Sequence, residues 1–335
     1  MSTKFILILA AAGLAVAGAI AVAATGDQPQ QTGQTASCRT PDRSEVHIPG
    51  GTFQMGSTEF YEEEGPVHQE TVAAFWIDTY DVTNGDFAKF VAATHYVTDA
   101  ERKPDPPDYP DIPKDKLVPG GAAFTPPAGG VRTMEDPMQW WSFVPGANWR
   151  HPDGPDSTIK RRDNEPVVQV SYNDALAYAK WVGRELPTEA QYEYAARGGL
   201  DGKTYGWGDE LTPGGKHQAN VWQGTFPTNN TGADGFTGRA PDGCFPANGY
   251  GLYDMIGNVW KWTASLYDTK AKSDMSEMPM SHMSTPASRV MRTIKGGSFL
   301  CAPNYCRRYR PAARQSQETG FSSAHLGFRT VRNGP

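Results

Sequence analysis

Glycine and proline interrupt this chain so often that long helices and long strands are excluded from most of it. The sequence has 36 glycines and 27 prolines among 335 residues, well above the roughly 12% expected from average usage. Proline removes a backbone donor and glycine costs conformational entropy, so both end regular elements. The composition therefore predicts short strands and few helices in a single compact α+β domain.

The N-terminal segment has the pattern of an export signal. Lys4 precedes an apolar run over residues 5–24 that ends in Ala-Val-Ala-Ala, a small-residue cleavage site. The run is also nearly long enough to span a bilayer, so an uncleaved anchor through residues 5–24 is the alternative. We therefore predict a signal peptide or anchor over 1–24, a polar linker over 25–44 and a catalytic domain over 45–333. We expect the protein to be exported, either to the periplasm or beyond.

Charge and cysteine content narrow the classes of partner and cross-link. The formal net charge is −6 and the pI is about 5.7, which offers no basic surface for nucleic acid. An exported chain with four cysteines can form up to two disulfides. Spacing does not decide whether Cys38 pairs with Cys244.

The apolar pattern predicts several short elements. Residues 45–56 read as a strand with a tight turn at Gly50-Gly51, and residues 72–82 read as another strand. Cap residues followed by apolar residues on one face predict helices after Thr83 and Asn173, and a third over 188–198. The C-terminal part is predicted as a strand over 289–300, a cysteine loop and a last strand over 326–331.

The stretch 296–314, which we call the cysteine loop, contains several reactive groups. It places Cys301 and Cys306 within six residues and four arginines close behind them. A local positive charge favours thiolate over thiol, and two thiolates form a soft ligand pair that selects copper(I). The alternatives are a structural disulfide or two inert thiols.

Seven segments together resemble the formylglycine-generating enzymes, also called sulfatase-modifying factors. They include IPGGTFQMGS, GANWRHPDGPDS, PTEAQYEYAARGG, GNVWKWT and KGGSFLCAPNYCRRYRPAAR. The resemblance implies a fold related to C-type lectins. It also implies a reaction in which oxygen oxidises a cysteine in a C-x-P-x-R motif of an unfolded sulfatase to formylglycine, with the enzyme acting as a monomer.

The same resemblance assigns roles to residues of the cysteine loop. It implies that Cys301 and Cys306 bind copper(I). Ser298 matches a serine beside the oxygen-binding space, where it either binds reduced oxygen or serves as a turn hydroxyl. Arg310 matches an arginine that lowers thiol pKa values or binds the substrate backbone. Two further arginines, Arg307 and Arg308, are expected to be solvated.

The resemblance also implies two calcium sites. The first maps to Asn220, Val221, Asp234 and Phe236, a set of oxygen ligands suited to a hard cation. The second maps to Asp254, Gly257, Val259 and Lys261, where an ammonium offers no lone pair to a metal. We therefore expect an ion pair between Asp254 and Lys261 to replace the second calcium ion.

Three alternatives stay open at this point. One is a lectin-like binding module without chemistry. Another is an enzyme of the same scaffold with a different substrate, such as a sulfoxide synthase, although the seven histidines lack the spacing of a histidine-bound iron centre. His325 is either a satisfied loop residue or a catalytic one. The methionine-rich loop 275–283 either captures copper(I) or is a loop in which methionine tolerates irregular packing.

Overall fold

Two small sheets and three hairpins carry the strands of the computed structural model, which describes residues 38, 44–110, 112–267 and 290–334. The strands are β1 Glu45–Ile48, β2 Gly51–Met55, β3 His68–Val72, β4 Phe75–Asp78, β5 Gly120–Phe124, β6 Trp141–Pro145, β7 Gly224–Thr225, β8 Asn229–Asn230, β9 Trp260–Leu266, β10 Met291–Lys295, β11 Arg314–Glu318, β12 Leu326–Gly327 and β13 Val331–Asn333. Their shortness agrees with the glycine and proline content. The predicted signal peptide, most of the predicted linker and the methionine-rich loop lie outside the described residues.

The sheet that positions the cysteine loop has the order β11-β10-β9-β12. Strands β9, β10 and β11 are antiparallel neighbours, whereas β12 runs parallel to β9. The cysteine loop leaves from the end of β10, and the chain returns to the far side of β9 as β12. A second sheet, with the order β1-β4-β13, brings the N-terminal and C-terminal strands together.

The described part of the chain contains three α-helices, and a side-chain cap begins each of them. Helix α1 spans Asn84–Thr94 and is capped by Thr83, as predicted, and α3 spans Glu189–Arg197 and is capped by Thr188. Helix α2 spans Tyr172–Trp181 and is capped by Ser171, so the prediction of Asn173 was wrong. Ser171 has an extended backbone and accepts from the backbone nitrogen of Asp174, which makes a capping box.

Strand predictions were right where a turn residue marks the boundary. The Gly50-Gly51 turn separates β1 from β2 as expected. The predicted strand over 72–82 is shorter, because β3 ends at Val72 and β4 covers only Phe75–Asp78. The predicted last strand is split into β12 and β13, with residues 328–330 between them.

The core consists of a large apolar cluster and a smaller aromatic one. The large cluster includes Phe87, Tyr192, Trp262 and Phe328. The smaller cluster lies under the cysteine loop and contains Trp140, Trp222, Phe226, Phe299, Leu300 and Ala302. The loop therefore has a packed aromatic floor of its own.

A disulfide joins Cys38 to Cys244, which answers the question that spacing left open. Cys38 lies within the predicted linker, so that part of the segment is covalently held to the domain. Among the described residues, no helix has both the length and the apolar character needed to cross a bilayer.

Candidate active site

The cysteine loop begins with a glycine pair that no other residue fits well. Gly296 and Gly297 follow β10 with φ values of 91° and 72°, a region that side chains rarely adopt. A Cβ atom on Gly297 would also lie 2.6 Å from the Arg308 carbonyl oxygen. The pair thus turns the chain sharply and lets both ends of the loop approach each other. The loop closes with backbone bonds from Cys301 N to Ser298 O and from Cys306 N to Ala302 O, both 2.9 Å.

The two cysteines of the loop face each other as free thiols. Their Sγ atoms are 2.9 Å apart. Cys301 is buried, and its pKa is raised by burial and by its neighbour Cys306. The hydrogen bond from the Cys301 thiol lowers the pKa of Cys306, with help from the charges of Arg308 and Arg310, although burial opposes the change. Cys306 is thus the thiol that ionises first.

Of the two arginines that lower the pKa of Cys306 by their charge, Arg308 has the larger effect. Its Nη2 atom lies 2.5 Å from Glu63 Oε1, and its guanidinium lies 4.0 Å from the centre of the Tyr61 ring. Only 17% of the side chain is exposed. The expectation of a solvated Arg308 was therefore wrong, because an ion pair and an aromatic face hold it inward. Arg307 is exposed, as expected.

Arg310 forms an ion pair with the buried carboxylate of Glu64. Its Nη1 and Nη2 atoms donate to the two oxygens of Glu64 at 2.8 and 2.5 Å. Its Nε atom donates to the Arg307 carbonyl at 2.7 Å, and its guanidinium lies 3.7 Å from the centre of the Phe60 ring. Three of its five N–H donors are therefore used by Glu64 and Arg307, and the side chain is buried. The observed contacts tie the cysteine loop to the segment that precedes β3.

Ser298 contacts both Cys301 and His325, a histidine that directly precedes strand β12. Its backbone nitrogen donates to Cys301 Sγ at 3.5 Å. Its hydroxyl lies 3.2 Å from His325 Nδ1 and accepts from the backbone nitrogen of Leu300 at 3.3 Å. Burial, and then the charge of Arg239, lowers the pKa of His325 to about 3, so its imidazole is neutral at ordinary pH.

Aromatic rings form one wall beside the cysteines. The ring of Tyr305 stacks on Phe226 at 4.5 Å and meets the edge of Trp140 at 5.5 Å. Asn304 holds the same wall by donating to the Phe226 carbonyl at 3.2 Å. An open, mainly apolar pocket adjoins the loop at Pro303 and reaches the segment proposed from sequence as the first calcium site.

The residues predicted for the first calcium site do meet in space. The Asp234 carboxylate accepts from the backbone nitrogens of Val221 at 3.1 Å and Phe236 at 2.9 Å. One donor, the Gln223 side-chain amide, bonds both the Val221 carbonyl and the Asp234 carboxylate. Asn220 is buried beside them. Two predicted oxygen ligands thus converge on one point, which suits a hard cation.

The residues predicted for the second calcium site do not suit a metal. Lys261 Nζ donates to the backbone carbonyls of Asp254 and Gly257, the latter at 2.9 Å. Val259 is fully buried next to them. The ammonium therefore occupies the position where these carbonyls converge. The expected ion pair with the Asp254 carboxylate was wrong, because the carboxylate nearest to Lys261 is Asp81, at 3.5 Å.

Lys261 belongs to a fully buried group of charges, which we call the ionic cluster: Asp81, Asp242, Asp254, Lys261 and Arg329. Arg329 bonds Asp81 through Nε at 2.9 Å and Nη2 at 2.7 Å. Both Asp242 oxygens and one Asp254 oxygen have no hydrogen-bond partner among the described residues. Three acids face two cations, and burial with the neighbouring carboxylates raises the pKa of Asp242 well above its usual range. A neutral Asp242 balances the cluster.

Several residues of the site were not found from the sequence. Glu63 and Glu64 belong to a run of three glutamates that forms a short 3₁₀ helix, Glu62–Glu64, and such a run is usually a solvated face. Gln223 and Asp81 carried no recognisable signal. Among the described residues, no group of three or more His, Cys, Asp or Glu side chains is placed to hold a metal. The thiol pair and the predicted calcium ligands, mostly amide and carbonyl oxygens, fall outside that class.

The chain is similar to known proteins over most of its length. The family described as the sulfatase-modifying factor enzyme 1-like domain matches residues 30–334. The formylglycine-generating enzyme of Mycobacterium tuberculosis is 52% identical over 290 residues, covering 85% of this chain and 96% of that protein. The enzyme of the same name from Thermomonospora curvata is 49% identical over 288 residues, covering 85% and 91%. The structure of PvdO from Pseudomonas aeruginosa aligns with a TM-score of 0.58 and 24% identity over 87% of this chain and 94% of that one, which shows a shared fold.

Proposed function

Because the chain belongs to the formylglycine-generating, or sulfatase-modifying factor, family, we propose that it converts a cysteine of a sulfatase to formylglycine and so activates the sulfatase. The α+β fold predicted from the sequence is the fold of this family, as the likeness to PvdO confirms. The proposed target is the cysteine of a C-x-P-x-R motif in a sulfatase that has not yet folded.

The free thiol pair carries this proposal. Cys301 and Cys306 lie 2.9 Å apart without a disulfide, whereas Cys38 and Cys244 are bonded in the same chain. A pair kept for structure would be expected to be oxidised in an exported protein. Their different pKa values give the site one thiol that ionises readily and one that stays protonated.

The reaction must balance in atoms and electrons. Conversion of a thiol-bearing CH₂ group to an aldehyde with one O₂ breaks the carbon–sulfur bond, one carbon–hydrogen bond and the oxygen–oxygen bond, and forms a carbon–oxygen double bond. The products are the aldehyde, sulfide and water when two electrons and two protons are also supplied. We propose a thiol reductant as the source of those electrons. The enzyme is thus an oxidase of a sulfur group that uses oxygen as acceptor.

We propose that Cys301 and Cys306 hold copper(I). Their two soft sulfur donors fit that ion and not a harder one. When bound, copper(I) would supply the redox capacity to activate oxygen and a place for the substrate sulfur. The protein's own groups prepare the site, since Arg308 favours the Cys306 thiolate and the aromatic wall of Trp140, Phe226 and Tyr305 excludes water from one side.

We propose one calcium ion per chain, held by the oxygens of Asn220, Val221, Asp234 and Phe236. Binding there would replace the Gln223 amide between the Val221 carbonyl and the Asp234 carboxylate. Metal analysis after extensive dialysis should find one calcium per wild-type chain and two in Lys261→Glu, because the glutamate removes the ammonium and adds a carboxylate. Two calcium ions in the wild-type protein would contradict the argument from Lys261.

We also propose that the protein acts outside the cytoplasm, either free or held by residues 5–24, and meets its substrate as an extended polypeptide. A monomer is sufficient for this, since the candidate groups all belong to one chain. Fractionation of the producing cells, with and without residues 1–24, would locate the protein.

The direct test of function uses a C-x-P-x-R peptide. Copper-loaded protein, the peptide, a thiol reductant and air should yield the mass change of a thiol replaced by an aldehyde, with sulfide released. A peptide with serine in place of cysteine, and the Cys301→Ser variant, are matched controls that should give no product. Wild-type protein that binds copper and the peptide without forming aldehyde would overturn the proposed activity and favour a lectin-like binding module.

A further inference from the structure

We infer that His325 is a positioning residue that fixes the Ser298 hydroxyl beside the cysteine pair. This inference rests on the proposed function. It concerns a contact between residues that are 27 positions apart, with Ser298 Oγ 3.2 Å from His325 Nδ1. Ser298 itself is fully buried and contacts Cys301 through its backbone nitrogen and carbonyl oxygen.

His325 is restrained both at its backbone and at its ring. Its backbone carbonyl accepts from Trp260 N at 2.7 Å, at the point where β12 begins beside β9. Its ring meets the ring of Trp141 at 4.6 Å with an angle of 61° between the planes. Backbone and ring are therefore both restrained, so Nδ1 is a stationary partner for the hydroxyl.

A restrained partner matters because a serine hydroxyl rotates freely. The Ser298 oxygen has one donor and two acceptor positions, and Leu300 N occupies one acceptor position. The neutral imidazole occupies a second position in either tautomer, as donor or as acceptor. A single hydrogen-bonding position then remains, and its direction is set before substrate arrives. Fixing a polar group in advance is a recognised source of rate enhancement.

The competing explanation is that His325 only fills space against Trp141. His325→Leu keeps an apolar side chain there and removes Nδ1, whereas His325→Asn retains a polar atom near the Nδ1 position. His47→Leu is the matched control, because His47 also packs on a tryptophan, Trp76, at 4.9 Å and lies on β1, in the other sheet.

Turnover of the C-x-P-x-R peptide should separate these explanations. We expect His325→Leu to lower kcat roughly 10- to 100-fold with a change in KM below about twofold, at equal copper content and equal Tm. His325→Asn should recover at least part of the loss, and His47→Leu should match the wild type. In a Ser298→Ala background, His325→Leu should cause no further loss. Wild-type kcat in His325→Leu, or the same fold loss with and without Ser298, would overturn the inference.

A spectroscopic measurement tests the contact without turnover. In protein labelled with ¹⁵N-histidine, the Nδ1 signal of His325 should shift in Ser298→Ala relative to the wild type, while the His47 signals stay in place. An unchanged His325 signal would overturn the inference even if the enzyme is active. Absence of aldehyde from wild-type protein, with the His325 shift present, would instead overturn the proposed function and leave the contact established.

Discussion

The cysteine loop and the ionic cluster both contain buried charges, but the charges are paired differently in the two regions. In the loop, the two arginines nearest Cys306 each have their own carboxylate, Arg308 with Glu63 and Arg310 with Glu64. In the cluster, three aspartates share Lys261 and Arg329, and several carboxylate oxygens lack partners among the described residues.

The difference indicates which of the two regions can change its charge or ligand without a loss of stability. The charges of Arg308 and Arg310 are each balanced by a glutamate, so neither arginine needs the Cys306 thiolate as its ion-pair partner. The cluster has no such independence, since each group affects the pKa of the others. Substitutions in the loop should therefore change activity, and substitutions in the cluster should change stability.

The largest expected effect is the loss of turnover on changing either loop cysteine. Cys301→Ser and Cys306→Ser should each abolish aldehyde formation and copper(I) binding, because one thiolate does not hold the ion against competing thiols. Their melting temperatures should stay close to that of the wild type. Peptide mass spectrometry, copper titration and thermal unfolding measure the three properties. Retained activity with a large fall in Tm in both variants would support a structural role for the pair.

Removal of the lysine from the cluster should have the largest effect on stability. Lys261→Met leaves the carbonyls of Asp254 and Gly257 without a donor and removes one of the two cations of the cluster. Removing one partner of a buried ionic group typically costs about 3–5 kcal/mol. Urea unfolding measures the change, with Lys89→Met as the control because that lysine is 72% exposed and lies outside the cluster. Equal stability of the two variants would show that the cluster does not depend on Lys261.

Loss of the disulfide should have a somewhat smaller effect. Cys244 is two residues after Asp242, and Gly243 N donates to Asp254 at 2.7 Å, so the bond anchors the segment that covers the cluster. The variant with serine at both Cys38 and Cys244 should lose about 2–5 kcal/mol and keep the kcat of the wild type. If the variant has a lower kcat than the wild type at a temperature where both proteins are folded, the disulfide also affects the cysteine loop. That result would contradict the proposed separation of activity from stability between the two regions.

The smallest expected effect is a change in pH dependence at Asp254. Burial raises its pKa to about 6, above the value of roughly 4 in an unfolded chain. A raised carboxyl pKa means that the folded state binds the proton more tightly, so stability falls as pH rises from about 4 through about 6. Asp254→Asn removes this contribution and suits the left-handed φ of 53°. Thermal unfolding at pH 4.5 and 7.5 should therefore show a smaller decrease in the variant, and an identical decrease would contradict the assignment.

The sequence predicted features that depend on local pattern. The cap Thr83, the start of the third helix and the Gly50-Gly51 turn were confirmed because each depends on a few adjacent residues. The cysteine pair was predicted as a pair for the same reason. Asn173 was predicted as the cap of α2, but the cap is Ser171; both residue types cap helices, and the extended backbone that a cap needs is set by tertiary contacts.

The rest of the site depends on contacts between distant segments. Arg308 looks solvated in a run of arginines until Glu63 and Tyr61 are brought against it. Lys261 could be recognised as unsuited to a metal from its chemistry alone, but its partner Asp81 follows β4, in another sheet. Such pairs have no periodicity or spacing that a single sequence reveals.

The order β10-β9-β12 also bears on how this family of sites can diverge. Ser298 follows β10 and His325 precedes β12, so backbone hydrogen bonds across β9 set their separation. The chain that connects them does not set that distance, and it passes through exposed positions at Pro303 and Asn304. Insertions at exposed turns cost little and leave packed strands in place. Residues 303–304 lie between Cys301 and Cys306, however, so an insertion there would disturb the thiol pair and the Asn304 bond to Phe226 while the serine–histidine spacing stays in place.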